Sequence, residues 1–150
     1  MNSIGKIAKG VLPHFIPALF IGAIGAWATG DRALLVVGLL TGWLIDADHS
    51  FDFMVGCFLR REDGPFLNQV ATGSYFKRTG KVYVLLHSWE LIGVWMVAWA
   101  LAGRRDFAIV GGFAWALHLG IDHLTYRLHP LAYFLTYRVM HRFELSQVCR

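Results

Sequence analysis

The chain has 150 residues, of which 56% are hydrophobic and 16% charged, and its net charge is +4. A soluble domain carries roughly a quarter charged residues, so this composition argues against a water-exposed globule and for one integral membrane domain over residues 1–150. Basic residues sit between apolar runs and form no continuous basic face, which argues against a nucleic-acid partner.

The first predicted span covers about 13–29, with Pro13 near its start, where a missing N–H costs little. Lys6 and Lys9 ahead of it, and Ala26-Trp27-Ala28 near its end, also resemble a signal peptide. A retained helix is preferred because further apolar spans follow. Gly30-Asp31-Arg32 reads as a tight turn. The second span, about 33–59, runs through Asp46-Ala47-Asp48-His49. Residues 60–81 form the long connection. Glu62-Asp63-Gly64-Pro65 and Thr72-Gly73-Ser74 read as turns there, and Phe66, Leu67, Tyr75 and Phe76 suit the membrane interface. The third span, about 82–102, contains His87-Ser88-Trp89-Glu90. After the turn at Gly103-Arg104-Arg105-Asp106, the fourth span covers about 107–126 and carries His118, Asp122 and His123. Over 131–143, Leu131, Phe134, Leu135 and Val139 fall near one side, and Arg138, His141 and Arg142 on another. That pattern describes a short amphipathic helix, lying on the membrane surface or packed against the bundle. The fold class expected is therefore all-α: a polytopic four-transmembrane-helix bundle plus a short C-terminal amphipathic helix. Cys57 and Cys149 lack metal-binding spacing and read as inert thiols.

Four spans place both termini and the long connection on one side of the membrane. That side holds 11 Lys and Arg residues and the other holds 3, so both termini are expected in the cytoplasm. At ~1.5 Å rise per residue, His14, Asp46–His49, His87–Glu90 and His118–Asp122 then all fall in the cytoplasmic half of the bilayer. Ionisable groups at such depth are costly and mark functional sites.

Spacing points to one kind of site. Asp46 and His49, and His87 and Glu90, are three apart, while His118 and Asp122 are four apart, so each pair shares a helix face. Facing helices that project carboxylate and imidazole groups inward are how bundles build dinuclear metal sites. The candidate metal ligands are His14, Asp46, Asp48, His49, His87, Glu90, His118 and Asp122. Asp48 is rotated from the face shared by Asp46 and His49. It is a ligand, a general base, or a partner that holds an imidazole. Glu90 is the other candidate catalytic base. Asp52, Ser88 and His123 are expected to support the ligands, and Arg127 to hold substrate, while His129 and His141 read as surface residues. Nitrogen and oxygen donors without thiolate suit two divalent ions, zinc first, with iron or manganese as alternatives.

At Gly42-Trp43-Leu44-Ile45-Asp46-Ala47-Asp48-His49, His87-Ser88, His118-Leu119-Gly120-Ile121-Asp122 and the early His14, the chain resembles the YdjM-like metal-dependent hydrolases. These are small bacterial inner-membrane proteins, also described as LexA-binding and inner-membrane-associated. The ligand set is also similar to that of zinc-dependent phospholipase C. The resemblance implies a metal-activated water that hydrolyses a phosphoester, here of a lipid or prenyl phosphate at the cytoplasmic leaflet. Family members often carry a His-Arg-Gly run shortly before the His-Ser pair, and Val82 stands where that His would fall. Two other readings stay open: a di-iron lipid oxidoreductase, and a metal or proton transport protein. A desaturase-type series of H-x-x-H-H boxes is absent, as is the D-x-x-D-G-x-x-A-R run of CDP-alcohol transferases.

Overall fold

The computed structural model describes residues 3–59, 74–126 and 128–149, with the side chains of 3–11 and 57–59 left aside. The described residues form helices joined by turns: α1 (Ser3–Thr29), α2 (Ala33–Gly42), a 3-10 segment (Leu44–Asp48), α3 (His49–Leu59), α4 (Ser74–Thr79), α5 (Trp89–Leu101), α6 (Arg105–Thr125), α7 (Leu135–Met140) and α8 (Leu145–Val148). Residues 60–73 and Arg127 lie outside the description, so the expected turns at 62–65 and 72–73 and the role given to Arg127 do too.

Helix α6 is the central element and packs against α1, α2 and α5. Close approach rests on small residues, as is usual where lipid removes the hydrophobic drive for helices to associate. A Cβ on Gly38 would meet the Ala18 carbonyl at 2.8 Å and the Gly22 nitrogen at 2.9 Å, so α1 and α2 touch backbone to backbone. Gly111 lies under the indole of Trp95, 2.5 Å from where its Cβ would sit. At the far end, Gly30 and Gly103 adopt φ of 77°, which turns the chain without a steric penalty. Arg104 joins these two turns by donating to Asp31 and Asp106, and it lies 3.5 Å over the Phe107 ring.

Two helical segments, Leu12–Thr29 and Arg105–Thr125, are long and apolar enough to cross a membrane. A third crossing is available if Ala33–Gly42 and Leu44–Gly56, bent by 46°, count as one. Large apolar side chains such as Ile16, Phe20, Val94, Val97, Ile109 and Phe113 face outward, the arrangement expected of lipid-facing surface.

The helices differ from the expected spans in four places. Pro13 lies inside α1 and not near its start, since the helix begins at Ser3; Pro17 is internal as well. The second span is broken at Trp43 (φ −134°, ψ −45°), where the chain leaves α2 and enters the 3-10 segment. The third is helical only from Trp89 to Leu101, because the amides of Tyr83, Val84 and Leu86 bond to Asp52 and Asp48 and not to a helical turn. Near the C-terminus, α7 covers only Leu135–Met140 and ends in a turn with φ of 52° at Arg142 and 58° at Phe143. Its polarity is reversed from a soluble amphipathic helix: Val139 and Met140 are exposed, and Arg138 is wholly buried.

Candidate metal centre

The break at Trp43 positions the site. Ending α2 at Gly42 leaves its last carbonyls without helical donors, and the Gly42 oxygen faces His118 Nδ1 at 2.9 Å. The 3-10 segment then turns Asp46 and Asp48 to different sides. Asp48 and Asp52, four residues apart, grip the loop 82–88. Asp52 accepts from the Tyr83 and Val84 amides at 2.7 and 2.8 Å, and Asp48 Oδ2 from the Leu86 amide at 2.8 Å. That loop presents His87, 1% exposed, to His118 and Asp122 on the buried face of α6.

Four atoms converge. His87 Nε2 and His118 Nε2 are 3.2 Å apart. Asp46 Oδ1 lies 3.4 Å from the first and 3.3 Å from the second. Asp122 Oδ2 lies 3.4 Å from the first and 3.5 Å from the second. Donor atoms held ~2.0–2.1 Å from a tetrahedral ion stand about 3.3–3.4 Å from one another. Asp46 Oδ1 and Asp122 Oδ2 each therefore stand at coordination-shell distances from the same two imidazole nitrogens.

Hydrogen positions sharpen this reading. His118 Nδ1 faces a carbonyl, which only accepts, so the proton of the neutral ring sits on Nδ1 and Nε2 is a bare lone pair. His87 Nδ1 faces Asp48 Oδ2 at 3.1 Å, and the same logic leaves its Nε2 bare. In these neutral tautomers the two lone pairs and the two carboxylate oxygens would face and repel one another. A cation removes that repulsion, and these second-nitrogen contacts are the kind that orient metal-binding imidazoles.

Further groups flank the four atoms. His14, His118 and Asp122 form one set able to hold an ion, and Asp48, His49 and His87 another; both share residues with the central set of Asp46, His87 and His118. His14 Nε2 lies 3.2 Å from Asp122 Oδ1, and its ring lies 4.0 Å from that of His118, tilted by 31°. His14 Nδ1 and Asp48 Oδ1 are buried without a hydrogen-bond partner. His49 stands at the outer edge with Asp46, their side chains 29% and 32% exposed and 3.7 Å apart. Its Nδ1 is 2.9 Å from the hydroxyl of Tyr75, whose phenol burial raises well above its ordinary value, so it stays protonated.

Seven of the eight ligand candidates thus meet, and Glu90 is the exception. Its carboxylate accepts from the Leu135 and Thr136 amides at 2.9 and 3.0 Å and from the Thr136 and Ser88 hydroxyls, each at 2.8 Å. Those bonds commit it to α7 and leave it outside the sets of ligand atoms. The spacing of His87 and Glu90 misleads because α5 begins at Trp89, so the two never share a helix face. Ser88 donates to Glu90 and touches no ligand oxygen. Asp52 supports His87 through the loop backbone, and His123 reaches the site only as a ring neighbour of Tyr133, 6.4 Å away.

Three residues join the site without a sequence signal. Tyr133, kept protonated by burial, donates to Asp122 Oδ2 at 3.2 Å. Tyr75, read from sequence as an interface residue, is 1% exposed and holds His49. Trp115 Nε1 donates to the Leu86 carbonyl at 2.9 Å and fixes the loop from the α6 side. No protein-family model, curated protein or solved structure matches the chain.

Proposed function

We propose that the chain is a membrane-embedded, metal-dependent hydrolase that cleaves a lipid or prenyl phosphate at the cytoplasmic leaflet. The observation that carries this reading is the pair of Nε2 atoms of His87 and His118, 3.2 Å apart, with one oxygen of Asp46 and one of Asp122 each within 3.5 Å of both. In this reading α1, the bent α2–α3 pair, the segment 82–102 and α6 make four crossings, both termini face the cytoplasm, and the chain belongs with the YdjM-like proteins. Zinc is the favoured ion, because the donor set is mixed nitrogen and oxygen without thiolate. His14 Nε2 and Asp122 Oδ1, 3.2 Å apart, would hold a second ion.

A divalent ion held there lowers the pKa of a water toward neutrality and draws charge from a phosphoryl oxygen. The protein supplies the rest. His87, His118 and Asp122 form a buried floor. Asp46 is the exposed carboxylate of the set, 32% accessible, so its side is where substrate would enter. His49, at that same edge and oriented by Tyr75, is the group placed to accept the proton of the attacking water. Asp48 spends Oδ2 on His87 and Glu90 is committed to α7, so His49 replaces them in the proton-accepting role. Leu40 and Leu44, shortly before Asp46 in the chain, are exposed and would suit a lipid approaching from within the membrane.

The experiment is elemental analysis of the purified protein, followed by phosphate release from a lipid phosphate in mixed micelles. About one or two zinc ions per chain, with activity lost on chelation and on His49→Ala, would support the reading. Protein that takes up no divalent ion sinks it. Iron with an O₂-dependent lipid product would replace it by the oxidoreductase.

A further inference from the structure

The loop 82–88 carries His87 in a strained conformation. Val84 has φ of 31°, a region that β-branched residues avoid. Such a backbone persists only where its surroundings over-determine it. On the N–H side, Asp52 and Asp48 do this, as described above. On the C=O side Trp115 holds the Leu86 carbonyl, and three others are held by one residue. Arg138 Nη1 donates to the Tyr83 and Val84 carbonyls, the latter at 2.7 Å, and Nη2 donates to the His87 carbonyl at 2.7 Å.

Arg138 is 0% exposed, and it forms no ion pair among the described residues. A buried arginine is costly to desolvate, and its guanidinium is spent here on backbone carbonyls of one loop. The planar fork suits this task, since it delivers several N–H groups in fixed directions. The segment that carries Arg138 is itself stitched to the same loop. Glu90 caps the start of α7, Val82 donates to Phe143 at 2.9 Å, and Leu145 donates to Gly80 at 2.9 Å. Val82, Val84, Ala132 and Val148 form a small apolar core beneath it.

We infer that the C-terminal segment 132–148 is a brace for the metal centre, and that Arg138 is a positioning residue which sets His87 Nε2 against His118 and Asp122. This rests on the metal-centre reading above. Arg138 bonds the backbone carbonyl of His87 and not its ring, so it acts through the loop backbone and not by contact with the ion.

The test uses the full chain in detergent with Co²⁺ as probe, because tetrahedral Co²⁺ has intense visible bands, and with Zn²⁺ competition for affinity. Arg138→Met is expected to weaken binding roughly 10–100-fold, the range for loss of an orienting partner, and to shift the Co²⁺ bands. Arg138→Lys keeps the buried charge without the fork and is expected to weaken binding by about tenfold. Met140→Ala, 81% exposed on the same helix, should match the wild type. If both Arg138 variants bind Co²⁺ with wild-type affinity and spectrum, the brace is refuted while the metal centre stands. If the wild type binds neither ion, the metal centre falls and the brace with it. Should Arg138→Met fail to fold, amide exchange of the wild type decides. By reciprocity, Zn²⁺ must slow exchange across 135–148, and unchanged exchange there overturns the inference.

Discussion

Asp46→Asn separates a metal ligand from a merely solvated carboxylate. Asp46 Oδ1 lies 3.4 and 3.3 Å from the two Nε2 atoms, yet its side chain is 32% exposed, so the isosteric amide should leave the fold intact. Tetrahedral zinc sites contribute about 10–16 kcal/mol in small peptides, which is roughly 3 kcal/mol for each of four ligands. Loss of one such share corresponds to about a 10²-fold rise in Kd. The same change appears in thermal stability. At free zinc about 1,000 times Kd, binding stabilises the wild type by ~4 kcal/mol, and a 10²-fold weaker variant retains only ~1.4 kcal/mol. For a chain of this length each kcal/mol is worth about 2–4 °C, so zinc should raise the wild-type Tm by roughly 8–16 °C and that of Asp46→Asn by roughly 3–6 °C. The assay is differential scanning fluorimetry in detergent with chelator and with buffered zinc. Equal zinc-induced shifts in the two proteins would refute the assignment of Asp46, and with it the four-atom shell.

Three further outcomes are expected. Zinc affinity should fall as pH falls, because both imidazoles must be neutral to bind and each then competes with one proton; the slope approaches about two decades per pH unit. A pH-independent Kd measured by chelator competition between pH 5 and 7 would exclude His87 and His118 as joint ligands. Tyr133→Phe removes only the hydroxyl that donates to Asp122 Oδ2, so it should weaken zinc binding by about tenfold without a change in helicity by circular dichroism. Gly38→Ala must push α1 and α2 apart against backbone atoms and should cost about 1–3 kcal/mol in chelator-treated protein. Gly93→Ala, with nothing within 4 Å of its added Cβ, should be neutral or stabilising by up to ~1 kcal/mol in the same melt.

Much of the site was legible along the chain. His118 and Asp122 fall on one face of a continuous helix, and a spacing of four residues suffices to place them together. Asp46, Asp48 and His49 stand out because carboxylates and imidazoles are costly amid apolar runs. The rotation of Asp48 away from Asp46 also followed from local geometry, and in the folded chain it reaches His87 from the other side. The reading of Glu90 failed for a definite reason. Helical spacing carries information only inside a helix, and α5 begins two residues after His87. The basic residues near the C-terminus were equally opaque, since charge on a short segment does not reveal whether it meets water, lipid or buried carbonyls.

What the amino-acid order determined by itself was the helical class, the apolar stretches and the inventory of metal-ligand types, because those depend on composition and on periodicity over a few residues. Only the tertiary structure decided which backbone amides the carboxylates of Asp48 and Asp52 capture. That competition, between a helix's own hydrogen bonds and side chains more than thirty residues away, is why residues 82–88 form a loop. It is also why His87 meets His118 and Asp122, and why Arg138 is buried. Contacts at that separation are set by the energy of the assembled bundle and leave no periodic trace along the chain.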